Sequence, residues 1–353
     1  MRLTKLDGLR GIFSLMVLIY HYPKDFLPDY FYNFFIFRQS YVFVDFFFVL
    51  SGFVIAYNYN SLNSYKGLWI YLKKRFIRLY PLLLFTVSIY FLFRVLTMYL
   101  FPDLLDSDNS LDSMLMKTVD SLLFTNSTPI LGSSSGMNTP SWSISSEMIS
   151  YIVFGLITIF CNAKTRRIIF FITIILASTF LLKHGTLFKI GDYGFLRGMV
   201  SFLLGYFVWE LSLIKKKTIG YVEYIVPIIL VMAFYGLSES RNSSLSIFFD
   251  VTIPLTFAFL ILVFLWSNGP LSKMLNSKKT QFLGKISYSL YLNHYLLVLV
   301  VPRLSFRFLN MPNNDYAYLF VFLLTIIVCI VYSYFTYIFI EQKGSKLLKR
   351  FFL

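Results

Sequence analysis

Charge is scarce in this chain: of 353 residues only 14% are Asp, Glu, Lys or Arg, and the acids number 17 against 32 bases. Cysteine is rarer still. Cys161 sits near one apolar end and Cys329 inside the last apolar run, a pair with no metal-ligand spacing and no disulfide framework. No internal repeat, low-complexity tract or soluble appendage interrupts the chain. The basic, apolar N-terminus lacks a small-residue cleavage pattern, so a retained first span is expected. What remains is apolar: 57% hydrophobic residues, with 41 Phe and 26 Tyr. A soluble domain cannot hide that much apolar surface, so the fold class is all-α, a polytopic membrane protein. The net charge of +15 would suggest nucleic acid for a soluble protein. Here the basic residues fall in short connections between apolar runs, which points to the lipid bilayer and not to nucleic acid.

The apolar runs predict about ten spans, at roughly 6–23, 39–59, 76–101, 141–161, 167–183, 194–214, 219–238, 250–267, 285–303 and 316–340. Basic residues test the arrangement independently. With the N-terminus in the cytoplasm, inward segments carry more than twice the Lys and Arg of outward ones, alternating loop by loop. Both termini are therefore expected to be cytoplasmic. The one long connection, 102–140, falls outside and holds Asp103, Asp106, Asp108, Asp112 and Asp120. Its small, polar second half either covers an external opening or is simply solvated.

Polar residues inside the runs are ordered. In LDGLRGIFSLMVLIYH, Asp7, Arg10, Ser14 and His21 recur at helical spacing. At about 100° per residue Arg10 and His21 lie about 20° apart around the axis and about 16 Å apart along it. Ionisable residues in a spanning helix are costly and normally face a bundle interior. The second run, VDFFFVLSG, brings Asp45, whose buried carboxylate needs a partner such as His21, while Ser51 and Gly52 suit close helix packing. The third opens KKRFIRLYP, where Arg75 and Arg78 share a face. A positive-inside anchor accounts for them, as does a site for a phosphorylated cytosolic ligand. PSWSISSEMISY sets Ser143, Glu147 and Ser150 on a stripe, with Trp142 marking the interface. KISYSLYLNHYLL does the same with Ser287, Tyr291 and His294, placing His294 near mid-membrane. His184 reads as solvated, and Asn126-Ser127-Thr128 and Asn242-Ser243-Ser244 match a glycosylation pattern. The depth order that results is Arg10, Arg75 and Arg78 inner, His294 central, and His21, Asp45 and Glu147 outer.

LDGLRG…YH, VDFFFVLSGF, RFIRLYP, SWSISSE and ISYSLYLNH, in this order, resemble the integral-membrane acyltransferase-3 family from Leu6 to His294. Met148 departs from that pattern where a second acid is common, and Asn293 where Trp often precedes the histidine. The resemblance implies one integral-membrane domain over residues 1–353 of a bacterial inner (cytoplasmic) membrane, and an O-acyltransferase that moves an acyl group from cytosolic acyl-CoA, commonly acetyl-CoA, to an extracytoplasmic or lipid-linked glycan. It implies no metal, and the C-terminal esterase-like domain of some relatives is not expected here. Together with the polar stripes it makes His21, Asp45 and Glu147 the catalytic candidates. Arg75, Arg78 and Arg10 would bind the CoA, and His294, Tyr291, Trp142 and Ser143 the acceptor.

In the mechanism so implied, Arg75 and Arg78 hold the CoA phosphates while His21 takes the proton of the attacking sugar hydroxyl. Asp45 or Glu147 orients the imidazole. An acetyl-histidine relay is a second route. O-antigen, capsule, exopolysaccharide and other hydroxylated acceptors all fit. The competing class is a transporter or flippase for a glycan or small metabolite, which shares the polar path and basic face. Broken half-helices and related halves, frequent in transporters, are missing from the sequence.

Overall fold

A computed structural model describes residues 3–100, 110–131, 136–214, 220–240, 243 and 245–353. Asp103, Asp106, Asp108, Asn242, Ser244 and the stretch 132–135, invoked above, lie outside the described residues, as do Arg2, Lys215, Lys216, Lys217 and Arg241 among the basic residues of the loops.

The described residues are helical, with no strand among them. The helices are α1 (Thr4–Tyr20), α2 (Phe43–Tyr59), α3 (Tyr65–Leu100), α4 (Leu111–Leu122), α5 (Trp142–Phe160), α6 (Ala163–Lys183) and α7 (Gly194–Ser212). They continue with α8 (Val222–Glu239), α9 (Ser246–Trp266), the short α10 (Pro270–Leu275), α11 (Lys278–Arg307), α12 (Asp315–Thr336) and α13 (Lys343–Phe352), with single turns between α1 and α2. A π-helical stretch, Tyr337–Gln342, joins α12 to α13. Local chemistry sets several starts. Ser110 accepts from the Ser113 amide at 3.2 Å, Asn162 from Thr165 at 3.0 Å and Ser277 from Thr280 at 3.4 Å.

Eight helical stretches among the described residues are long and apolar enough to cross a membrane. They match eight of the expected spans, and two boundaries change. The span expected at 76–101 begins at Tyr65 and runs 36 residues without a break, Pro81 included. The last does not stop at 340 but continues as helix to Phe352. The two expected spans outside the eight are α1 and α11, the pair that carries His21 and His294. Their polar stripes lower the mean hydropathy that marks the others, and α1 is only 17 residues long.

The chain divides into two compact units. The first comprises Met1–Tyr59, Gly185–Leu187 and Ser201–Tyr334; the second comprises Asn60–His184, Phe188–Val200 and Phe335–Leu353.

In the first unit α1 and α11 form the most extensive helix pair. Gly11 lies against the backbone of Leu283 and Gly284, and Gly284 against Asp7. These contacts need the missing Cβ, because a side chain on either glycine would strike backbone. Gly11 with Gly284 and His21 with His294 share one offset of 273 positions, so the two helices run parallel and in register. Gly52 of α2 and Gly205 of α7 make a second close crossing, Gly52 meeting the Phe202 backbone, as the small residues in VLSG suggested. Phe13, Phe43, Phe46 and Phe257 fill the space between α1, α2 and α9 with stacked and edge-on rings 4.2–6.1 Å apart. Near the start of α1, the buried Glu223 carboxylate accepts from Ser267 and Ser272 hydroxyls and from the Gly269 and Ser272 amides at 2.7 and 3.0 Å. Lys5 donates to the Ser267 carbonyl, which binds that corner to α1.

In the second unit α3 and α5 run antiparallel. Tyr65 meets Phe160 edge-on, Gly155 packs on Leu68 and Tyr71, and Tyr71 lies beside Tyr151. The α13 helix lies along α3, also antiparallel: Gly344 abuts Pro81, Ser345 donates to the Ile77 carbonyl at 2.9 Å, and Lys73 donates to the Phe352 carbonyl at 3.0 Å.

Candidate functional site

Each unit holds a cluster of the residues singled out from the sequence. In the first, His21 is half-buried at the end of α1 and His294 is fully buried in α11. The His294 Nε2 lies 3.2 Å from the His21 Nδ1. The other contacts fix the protons. His294 Nδ1 is 3.2 Å from the Leu290 carbonyl and His21 Nδ1 is 2.9 Å from the Val17 carbonyl. A carbonyl only accepts, so both Nδ1 atoms carry the hydrogen in the neutral rings. His294 Nε2 is then the acceptor of a hydrogen that His21 Nδ1 shares with Val17. The His21 Nε2 keeps its lone pair and can take a proton. The rings of Tyr20 and Tyr295 lie 4.9 and 5.3 Å from the His21 ring, and Tyr291 lies 5.9 Å from His294.

This pairing revises the expected depths. His294 is not central to an outer His21; the register of α1 with α11 puts the two imidazoles level. The expectation misplaced it because α11 begins at Lys278, seven residues before the apolar run does. The rest of the α1 stripe does not converge on the histidines. Ser14 donates to the Gly11 carbonyl at 2.8 Å and Ser287 to the Gly284 carbonyl at 2.9 Å, each within its own helix. Arg10 pairs with Asp7 at 3.6 Å. Asp45 is buried and accepts from Ser201 at 2.9 Å. Thus the partner that meets His21 is a second histidine, whereas the sequence suggested an acid.

In the second unit, Glu147 accepts a hydrogen bond from the Tyr151 hydroxyl, one turn further along α5. The Arg75 guanidinium lies 6.0 Å from the Tyr151 ring centre, and Arg78 is within electrostatic reach of the same hydroxyl. Tyr71 completes the group by donating to the Tyr151 carbonyl at 3.2 Å. Arg75 stands ten residues inside α3, about 15 Å from its start, so the pair sits well within the helix and not at its end. Tyr151 joins the two motifs and was not among the expected residues. The signal was there, since Glu147 and Tyr151 are spaced i, i+4 in SSEMISY.

Trp142 and Ser143 have partners within the second unit. Trp142 is buried, 4% exposed, under the Arg197 guanidinium at 5.2 Å, so it is not an interface marker. Arg197, itself buried, also donates to the Phe188 carbonyl at 3.2 Å. Ser143 donates to the Pro140 carbonyl at 3.0 Å. Asn126 is buried, 1% exposed, and donates to the Ser141 hydroxyl at 2.9 Å, which removes it as a glycan acceptor. His184 is exposed, as expected.

The family model described as "Acyltransferase domain" matches residues 3–334. The chain belongs to the acyltransferase-3 family. It is also 37% identical over 91 residues to "Protein 2 in picA locus" of Rhizobium radiobacter, a match covering 25% of this chain and 44% of that protein. The chain therefore spans less than half of that relative's length. No solved structure matches it. The His21–His294 and Arg75–Tyr151–Glu147 clusters are its candidate working parts.

Proposed function

We propose that this acyltransferase moves an acyl group, acetyl in the simplest case, from cytosolic acyl-CoA to a hydroxyl of an extracytoplasmic or lipid-linked glycan. It does so in a bacterial inner membrane that it crosses ten times, with both termini in the cytoplasm. The two helices that bring the number from eight to ten are α1 and α11, whose parallel course is the course that first and ninth spans would share.

The observation that carries the reading is the His21 Nε2 lone pair, fixed by the 3.2 Å contact of the other ring nitrogen with His294. In the reaction the acceptor oxygen attacks the thioester carbonyl while its proton passes to His21 Nε2. The C–S bond breaks, and the proton leaves with the CoA thiol. The imidazolium formed midway donates from Nδ1 to His294 Nε2, a neutral acceptor, in the place that an acid occupies in other triads. His294 is thus a positioning residue and not an acceptor-binding one. Arg75 and Arg78 supply the charge-assisted bonds that phosphate recognition uses. Tyr151 and Glu147 hold that stretch of α3 in place.

Thiol release from acetyl-CoA by detergent-purified protein, with and without membrane glycolipid, tests the assignment. Glycolipid-stimulated release that disappears in His21→Ala supports it. Release that is unchanged in His21→Ala, or absent with every glycolipid offered, rejects it; a transporter would release none.

A further inference from the structure

The basic C-terminal helix α13 lies beside the arginine pair, and its side chains are not distributed evenly. Its contact line with α3 passes through Gly344, Ser345 and Phe352, and that of α3 through Lys73, Ile77 and Pro81. At about 100° per residue, Lys349 and Lys346 stand about 80° and 140° round α13 from that line. Lys74 and Arg78 stand about 60° and 100° round α3 by the same rule. Both helices are right-handed and run in opposite directions, so the two rotations lead to the same side of the pair. The antiparallel register sets Lys346 level with Arg78, and Lys349 level with Lys74 and Arg75. Lys74, Arg78, Lys346 and Lys349 are all exposed. Leu347 and Phe351, 54% and 76% exposed, lie on the other flank. The same side of α3 leads round to α5, where Arg75 meets Tyr151.

We infer that α13 is the second wall of a cationic trough whose floor is α3, and that Lys346 and Lys349 bind the 3′-phosphorylated ADP end of acyl-CoA together with Lys74 and Arg78. The inference rests on the acyl-CoA reading above and extends it to residues beyond the matched family region, which ends at 334. Neighbouring helix axes lie about 8–10 Å apart, so long cationic side chains from both walls can close on one phosphate. A nucleotide with phosphates at two positions needs cations at two levels, and the trough offers a pair at each. Lys343 and Arg350 project to the far side of α13 and take no part.

The test is equilibrium binding of adenosine 3′,5′-bisphosphate to the full-length protein in neutral phosphatidylcholine nanodiscs. The variants are Lys346→Gln/Lys349→Gln and, as an equal loss of charge, Lys343→Gln/Arg350→Gln. The first should weaken binding about tenfold or more and raise KM for acetyl-CoA with a much smaller change in kcat; the second should bind as the parent does. Equal weakening in both variants, or none in either, overturns the inference, as does a parent protein that fails to bind the nucleotide. A defect confined to nanodiscs containing phosphatidylglycerol also overturns it, because the lysines would then serve anionic lipid. If the parent binds the nucleotide and the first variant does not, yet no thiol is released from acetyl-CoA, the trough stands and the proposed reaction falls.

Discussion

His294 presents a bare Nε2 to the Nδ1 of His21 at 3.2 Å, because its own Nδ1 is committed to the Leu290 carbonyl. In the proposed mechanism the orientation of the base therefore depends on a ring without charge. His294→Ala should lower kcat about 10–100-fold with little effect on KM for acetyl-CoA, since the ring that holds the His21 tautomer is gone while the donor site is untouched. His294→Gln can still offer a carbonyl oxygen and should recover part of the loss. His21→Ala should cost more, about 10²–10⁴-fold, because it removes the base itself. Steady-state kinetics of the three variants, with donor and acceptor varied separately, checks the order; a KM effect larger than the kcat effect in His294→Ala would contradict it.

The α1–α11 register predicts a stability effect that is separate from the chemistry. A Cβ at Gly11 would lie 2.6 Å from the Gly284 nitrogen and 2.6 Å from the Leu283 Cβ. Gly11→Val should thus force the helices apart and destabilise the protein by about 1–3 kcal/mol, which is the usual range for overpacking. Thermal unfolding of the detergent-purified protein should show a lower midpoint for Gly11→Val and an unchanged one for His21→Ala. A Gly11→Val protein with the parent midpoint would mean that the two helices do not approach so closely.

Much of this was legible in the residues and some was not, for identifiable reasons. Apolar runs located eight spans because a spanning helix must be apolar throughout. The runs at 6–23 and 285–303 fall outside those eight, because the polar residues that meet a partner helix lower their mean hydropathy. Ser51 and Gly52 signalled close packing, but not which helix would pack there. Depth was the weakest reading. It was counted from the start of each apolar run, and α3 and α11 begin before theirs with basic turns, from Tyr65 and Lys278. The i, i+4, i+7 stripes included Glu147 and His294; pairing across helices, which joins His21 to His294 and Arg75 to Tyr151, has no trace in local spacing.

Glu147 and Tyr151 sit against the arginines, so their variants should act on donor binding. Tyr151→Phe removes the hydroxyl that Glu147 accepts from and leaves the Tyr71 bond to the Tyr151 carbonyl in place. KM for acetyl-CoA should rise about 3–10-fold, in keeping with a net hydrogen-bond contribution of about 1 kcal/mol. Glu147→Gln removes a negative charge from beside two cations and should leave kcat within a few-fold of the parent. A Glu147→Gln enzyme that binds acetyl-CoA normally but turns over a hundredfold more slowly would instead make this carboxylate part of the acid–base machinery.

Glu223 is fully buried, and its two carboxylate oxygens receive four donors from Ser267, Gly269 and Ser272. Its removal leaves those donors facing a void at the corner where Lys5 fastens α1. Glu223→Ala should therefore destabilise by about 3–5 kcal/mol, the range found when one member of a buried charged network is deleted. Glu223→Gln should be milder but still harmful, because an amide nitrogen would be turned toward at least one donor. The effect on chemistry follows from the fold: α1 carries His21 at its other end, so loosening the Lys5 corner should lower the amount of folded enzyme and not the kcat of what remains. Active-site titration by labelled acetyl-CoA binding, compared with total protein, separates the two. A Glu223→Ala enzyme that is fully folded but slow would show that this corner acts on the reaction and not on the stability of the helix pair.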